Sequence, residues 1–329
     1  SREAGSMKKR KWAAALMSMA LATAMISGCS VIKEETSQSI YQPQINPLAG
    51  QNISETITSN FYYVVEGENQ LASVSQTIDV ASGETREEAV LRTLLQGPPQ
   101  NMGLASALPE GTEVVSVSLD GQTLNVTMNN RFLTSTPVVM SDGTVSESAA
   151  EQTAMKNRLA LYAVVNSLAE LDPFIQVQIL VDKDKTGKGT RPTRLEVGLT
   201  GTGENSVLEP LGKNNDLLLT PKTAVEIVMD GAMSNDKQRA SRLLSGSFDL
   251  TNAEALQAKA EQAKGSVDSY QIVDVSISED GQSAVVYVDV TQTMKDGQSQ
   301  KLYNQAISVK RDTGIWKVEV ESIEPILFP

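Results

Sequence analysis

Three glycine-bearing turns near the C-terminal end leave this chain little choice of structure there. Asp280-Gly281, Asp296-Gly297 and Asp312-Thr313-Gly314 separate four stretches in which apolar residues alternate with polar ones. Short glycine turns between such stretches are hairpin signals, and hairpins joined end to end make an antiparallel meander. The predicted strands cover 270–278, 283–294, 298–310 and 315–323. Helices are expected ahead of them: one opened by Thr220-Pro221 with proline at its first position, then 236–244 and 252–264. Helices followed by a meander predict an α+β domain over 216–329.

A second α+β pattern lies upstream. Phe61 to Val65 and Leu71 to Val80 flank the turn Glu66-Gly67-Glu68-Asn69 and read as a hairpin. A helix follows over 84–96. Thr85 is placed to cap it, Glu87 and Glu88 suit its positive N-terminal end, and Val90, Leu91, Leu94 and Leu95 form one apolar stripe. Gly97 stops it and Pro98-Pro99 prevent its resumption. Val115, Val117 and Leu119 alternate up to Asp120-Gly121, and Leu124, Val126 and Met128 alternate beyond it, so a second hairpin is expected. The stretch 148–171 reads as a long helix whose second half is apolar on most sides and therefore buried. Ile175, Val177, Ile179 and Val181 make a last strand. The order β-β-α-β-β-α-β implies helices on a mainly antiparallel sheet over 61–199. A glycine-rich linker is expected at 200–215.

The N-terminal end reads as an address. Met7 is expected as the true start, the six residues before it having no evident role. Lys8 to Lys11 are basic, and Trp12 to Ile26 is an uncharged, mostly apolar run of 15 residues. That run is shorter than the roughly 20 residues that span a bilayer, and with its basic flank it has the form of a signal peptide over 1–28. Ile26-Ser27-Gly28-Cys29 resembles a bacterial lipobox, which makes Cys29 the expected lipidation site; an ordinary secretory signal is the alternative. Two acyl chains, at about 0.8 kcal/mol per buried methylene, anchor a protein stably. Residues 1–28 carry five basic side chains and one acidic one, so the remainder has 23 positive and 39 negative groups, a net charge of −16. So acidic a chain is not drawn to an anionic bilayer, and the lipid must supply attachment. Residues 29–60 are polar and read as a tether, reaching roughly 30 Å if flexible.

Composition narrows the chemistry. The 329 residues include no histidine and one cysteine. Ser-His-Asp and Cys-His catalysis, His-ligated zinc, intramolecular disulfides and multi-cysteine metal sites are therefore excluded. Few aromatics and an acidic balance argue against nucleic-acid binding. No catalytic, cofactor or metal residue is assigned. Asp182-Lys183-Asp184-Lys185 begins like a calcium loop, but its twelfth position is Thr193, not glutamate, and it is read as a turn. Asp249, Glu254 and Glu261 read as a solvated acidic face. Tyr270, Tyr287, Tyr303 and Trp316 either line a pocket or fill the core.

Leu94-Leu95-Gln96-Gly97-Pro98-Pro99 resembles the signature of the GerM-like family of germane (GerMN) domains. Leu108-Pro109-Glu110-Gly111-Thr112 before an Asp-Gly hairpin is similar to the same family, as are Leu161 to Leu168 in the long helix and Phe174 to Val181 in the last strand. The resemblance implies a lipoprotein of sporulation and spore germination in a Gram-positive bacterium, similar to ring-building modules of the channel between mother cell and forespore. It implies no enzyme activity and no cofactor. The expected role is a scaffold or adaptor, lipid-anchored on the extracytoplasmic face of the cell membrane, contacting other envelope or sporulation-channel proteins or further copies of itself. The second region lacks the Leu-Leu-x-Gly-Pro motif. Its Gly314-Ile315-Trp316-Lys317-Val318 is similar to an NTF2-like cone, so the alternative role is an envelope protein binding a small molecule, lipid or peptidoglycan fragment in that cone.

Overall fold

The computed structural model describes residues 52–133, 143, 145–246 and 252–329. Strands β1 (Ile53–Val65) and β2 (Leu71–Ala81) form a hairpin whose register runs from Val64 opposite Leu71 to Ile53 opposite Ala81. β1 thus begins well inside the stretch expected to be tether. Polar cross-strand pairs hold this extension: Thr56 Oγ1 donates to Asp79 at 2.9 Å, and Thr58 bonds Thr77 at 2.9 Å. Such pairs stabilise a strand without an apolar stripe, so periodicity does not reveal them.

Helix α1 (Arg86–Gln96) has the expected cap. Thr85 accepts from the Glu88 amide and Glu88 accepts from the Thr85 amide, a complete capping box. Gly97, at φ +85°, ends it in a conformation that side chains disfavour. The two-residue strand β3 (Leu104–Ala105) then pairs with the end of β1, giving a sheet of order β2-β1-β3.

β4 (Val114–Asp120) and β5 (Thr123–Asn129) form the second hairpin. Helix α2 (Glu147–Ala169), capped by Ser146, crosses over to β6 (Gln176–Asp182), which pairs parallel to β5. The first half therefore divides its strands between two sheets, the second of order β4-β5-β6. A parallel pair needs a long crossover, and α2 supplies it. α2 packs against β1, β6 and α1, which explains why its second half is apolar all round. Leu161, Val164, Val165 and Leu168 are fully buried there.

The 200–215 stretch is docked rather than free. Leu208 is fully buried, and Leu211 pairs with Val177. The buried Asn166 amide clamps Asn214, donating to its carbonyl at 2.7 Å and accepting from its amide at 2.9 Å.

The second half opens with α3 (Pro221–Met233), α4 (Lys237–Arg242), the short β7 (Leu244–Ser245) and α5 (Ala253–Gln262). The meander follows as β8 (Gly265–Ile277), β9 (Ser283–Met294), β10 (Ser299–Asp312) and β11 (Ile315–Glu319). β7 adds to its edge in parallel, giving β7-β11-β10-β9-β8. The last strand stops at Glu319. Residues expected to continue it form α6 (Val320–Leu327), which buries Val320, Ile323, Ile326 and Leu327. That spacing is helical, but Pro325 argues against a helix in a sequence reading.

The two halves lie within one compact unit, Gly50–Pro329. Leu71 donates to Leu217 at 2.7 Å and accepts from Leu219 at 2.8 Å. Arg239 grips Glu68 through two bonds of 2.6 and 3.0 Å, and Arg242 donates to the Glu66 carbonyl at 2.7 Å. Lys317 donates its ammonium to the Arg242 carbonyl, and its burial lowers its pKa.

Candidate functional site

A cleft of about 640 Å³ opens along the seam between the halves. Its first wall comes from β1, β2, the C-terminal end of α2 and the docked stretch. Alternation along β1 sends Tyr62 toward this wall, where its hydroxyl donates to Glu170 Oε1 at 2.6 Å. Asn60 donates to Glu170 Oε2 at 3.1 Å, and Lys213 completes the cluster with an ion pair to the same carboxylate. The Lys213 ammonium also lies 5.4 Å from the Tyr62 ring centre.

Electrostatics follow from this packing. Burial pushes the Tyr62 hydroxyl up to about 12, reinforced by the hydrogen bond to Glu170. Burial also opposes ionisation of Glu170, but the bonds from Lys213, Tyr62 and Asn60 outweigh it and hold the carboxyl below its ordinary value. Burial likewise works against the charge on Lys213, and its Glu170 and Tyr62 partners overcome that and raise its pKa.

The second wall is built by two hairpin turns of the meander. Arg311, at the end of β10, donates from Nε to the Gly281 carbonyl at 3.0 Å and from Nη1 to the Gly314 carbonyl at 2.8 Å. Its guanidinium carbon lies 4.3 Å from the Trp316 ring, a cation–π stack. Burial lowers the Arg311 pKa. Gly314, at φ +96°, sits where a Cβ would lie 2.6 Å from the Ser73 carbonyl, so its lack of a side chain lets the walls meet.

The aromatic residues singled out from the sequence do not converge. Trp316 is 4% exposed and faces this cleft, whereas Tyr270 donates to Asp230 at 2.7 Å. Tyr303 is 61% exposed, and Tyr287 alternates with the buried Val286 and Val288. A pocket in the cone lined by all four is therefore not formed. Asp182 is buried, and its two carboxylate oxygens accept the Thr186 and Gly187 amides at 2.9 and 2.8 Å. Among the described residues no group of carboxylates is arranged to hold a metal ion. Glu254 and Glu261 lie exposed on α5, while Asp249 falls outside the described residues, as does Cys29.

A second surface lies between α1 and β4, the edge strand of its sheet. A groove of about 550 Å³ there is lined by Leu95, Val115 and Val117 and flanked by Glu84, Glu88 and Glu113. Leu119, near the end of β4, is 61% exposed. Among the described residues no helix is long and apolar enough to cross a membrane.

Residues 60–186 match the model of the Germane family, described as sporulation and spore germination. That stretch is similar to a Germane domain. The matched stretch takes in β1 from Asn60, both hairpins, α1, α2 and β6, so Tyr62 and Glu170 fall within it and Arg311 and Trp316 do not. Among solved structures, the tandem GerMN domains of the sporulation protein GerM from Bacillus subtilis are similar at 17% identity, over 50% of this chain and 46% of that one, with a TM-score of 0.31. A Clostridium perfringens protein described as a lipoprotein is similar at 19% identity, over 48% of this chain and 87% of that one, with a TM-score of 0.24. The chain thus spans under half the length of the GerM structure. No curated protein matches. Within the stretch Leu94 to Pro99, Leu94 is buried on the inner face of α1, and the glycine and prolines turn the chain out of the helix.

Proposed function

We propose that this protein is a lipid-anchored, non-enzymatic adaptor in sporulation or spore germination, held at the extracytoplasmic face of the membrane through Cys29. The Germane match over residues 60–186 carries this reading. The signal-peptide pattern and lipobox supply the anchor, and the residues between Cys29 and Ile53 are its tether. A chain without histidine lacks the commonest general base, which supports a role through contact. The open edge of β4, with its adjoining groove, supports protein–protein contact, since an unpaired strand edge is a template for another chain. Other envelope or sporulation-channel proteins and further copies of this chain are the partners of the proposal.

The test is genetic and biochemical. Deletion in the native host should lower the yield of heat-resistant spores or slow their germination. Cys29→Ala should move the protein from the membrane fraction to the soluble one and reproduce the deletion phenotype. Normal spores from the deletion strain would overturn the functional reading, and membrane retention of Cys29→Ala would overturn the anchor.

A further inference from the structure

From the seam cleft we infer a binding site for a small, polar, singly charged carboxylate, held by Arg311. The inference stands apart from the adaptor role, because it rests on the cleft's geometry alone.

A guanidinium has five N–H donors. Arg311 commits two of them, to the Gly281 and Gly314 carbonyls, which lock its plane over Trp316. Nη2 and the second Nη1 proton remain, and this pair is the edge that a carboxylate engages through two parallel bonds. Among the described residues Arg311 has no carboxylate within ion-pair distance, although the cleft contains two. Glu170 is taken by Lys213, Tyr62 and Asn60. Asp280 turns back into its own hairpin, accepting from Ser278 and from the Gln282 amide at 3.0 Å. The cleft therefore presents one preorganised, partly desolvated cation whose charge is unanswered. A charge–charge contact is stronger there than in open water.

The same surroundings choose among anions. Glu170 and Asp280 repel a dianion such as phosphate more than a monoanion. The volume lies within the range of small-molecule sites. Ser73, Ser75, Asn215 and Gln282 line it and offer hydrogen bonds to a polar body rather than an apolar one.

The chain carries its own reporter. Its two tryptophans are Trp12, in the signal-peptide stretch, and Trp316, under the Arg311 guanidinium. In the full chain with Trp12→Phe, fluorescence titrations should be run with glucuronate against glucose, and with an acetylated dipeptide acid against its amide. Inorganic phosphate is the third arm. At least one acid should bind tenfold or more tightly than its neutral counterpart and than phosphate. Arg311→Gln should abolish that preference, and Arg311→Lys should weaken it tenfold or more, because it keeps the charge but loses the fork. A melting curve for each variant shows whether the seam is intact. If either variant fails to fold, Lys213→Met on the opposite wall, which frees the Glu170 charge, should weaken acid binding while neutral compounds are unaffected. Equal binding of acids and their neutral counterparts, preference for phosphate, or acid binding retained in folded Arg311→Gln would each overturn the inference.

Discussion

Tyr62 shows how a single side chain couples the Germane-like stretch to its surroundings. It is buried by the packing of β1 on α2, its backbone amide donates to Ser167 Oγ at 3.1 Å, and its hydroxyl closes the Glu170 cluster. Its pKa is raised from 10.0 to about 12, so the folded state binds the phenolic proton more tightly than the unfolded state does. That contribution is fully present below pH 10 and is lost as pH rises toward about 12. Tyr63, also raised to about 12 by burial, adds in the same direction. Glu170 works with the opposite sign. Its folded pKa is depressed, so its contribution is present above its unfolded value of 4.5 and lost as pH falls through the folded one. Urea midpoints across pH should therefore fall at both ends. Tyr62→Phe should make the alkaline fall shallower without removing it, since Tyr63 remains, and Glu170→Gln should make the acid limb shallower without removing it, since Glu84 and Glu196 are also held below their ordinary value. An alkaline limb unchanged by Tyr62→Phe would show that this hydroxyl contributes nothing.

At the scale of elements, the fold was most legible where a local rule acts alone. Thr85 and Glu88 satisfy each other's backbone amides within four residues, so α1 could be read from its sequence. Thr85→Ala removes one of those bonds and the geometry for the other, and should cost about 1 kcal/mol, within the 0.5–2 kcal/mol typical of lost caps. Thr85→Asn should recover most of the loss; thermal denaturation of both variants checks this, and an unchanged midpoint for the alanine variant would deny the cap its role. The meander was legible for the same reason, its turns being local. The elements that escaped depend on distant partners. The Ile53–Asn60 extension exists because β2 lies beside it, and β3 because β1 offers a free edge. The helix α6 was hidden by Pro325, and its apolar face is stabilised by the sheet it packs on. The expected linker is docked because Asn166 lies on a helix 48 residues away in sequence. The cleft was the least legible feature, since Tyr62, Glu170, Lys213 and Arg311 share no motif and meet only through tertiary packing.

The seam makes the whole molecule more than two modules in series. Glu68, nearly buried, is held by Arg239 from the other half, and the start of β2 exchanges backbone hydrogen bonds with 217–219. Removing Arg239 would leave the nearly buried Glu68 without its partner, which is costly. The halves should therefore unfold together, with Trp316 fluorescence and far-ultraviolet circular dichroism giving coincident transitions in the Trp12→Phe background. Gly314 is the position where this can be tested without touching a charge. Alanine there meets two penalties at once: a φ of +96°, which side chains rarely adopt, and a Cβ placed 2.6 Å from the Ser73 carbonyl across the seam. The turn can relieve the contact only by backing away from β2, which would draw Trp316 and Arg311 with it. Gly314→Ala should lower the midpoint by an amount worth about 1–3 kcal/mol. It should also separate the two probes, the tryptophan signal changing before the secondary structure is lost. Gly297→Ala is the matched control: its φ of +84° carries the same backbone strain, but a Cβ there has nothing within 4 Å. It should destabilise less and leave the two transitions coincident. Equal effects from both variants would mean that turn strain alone is responsible and that the halves do not depend on the contact at Ser73.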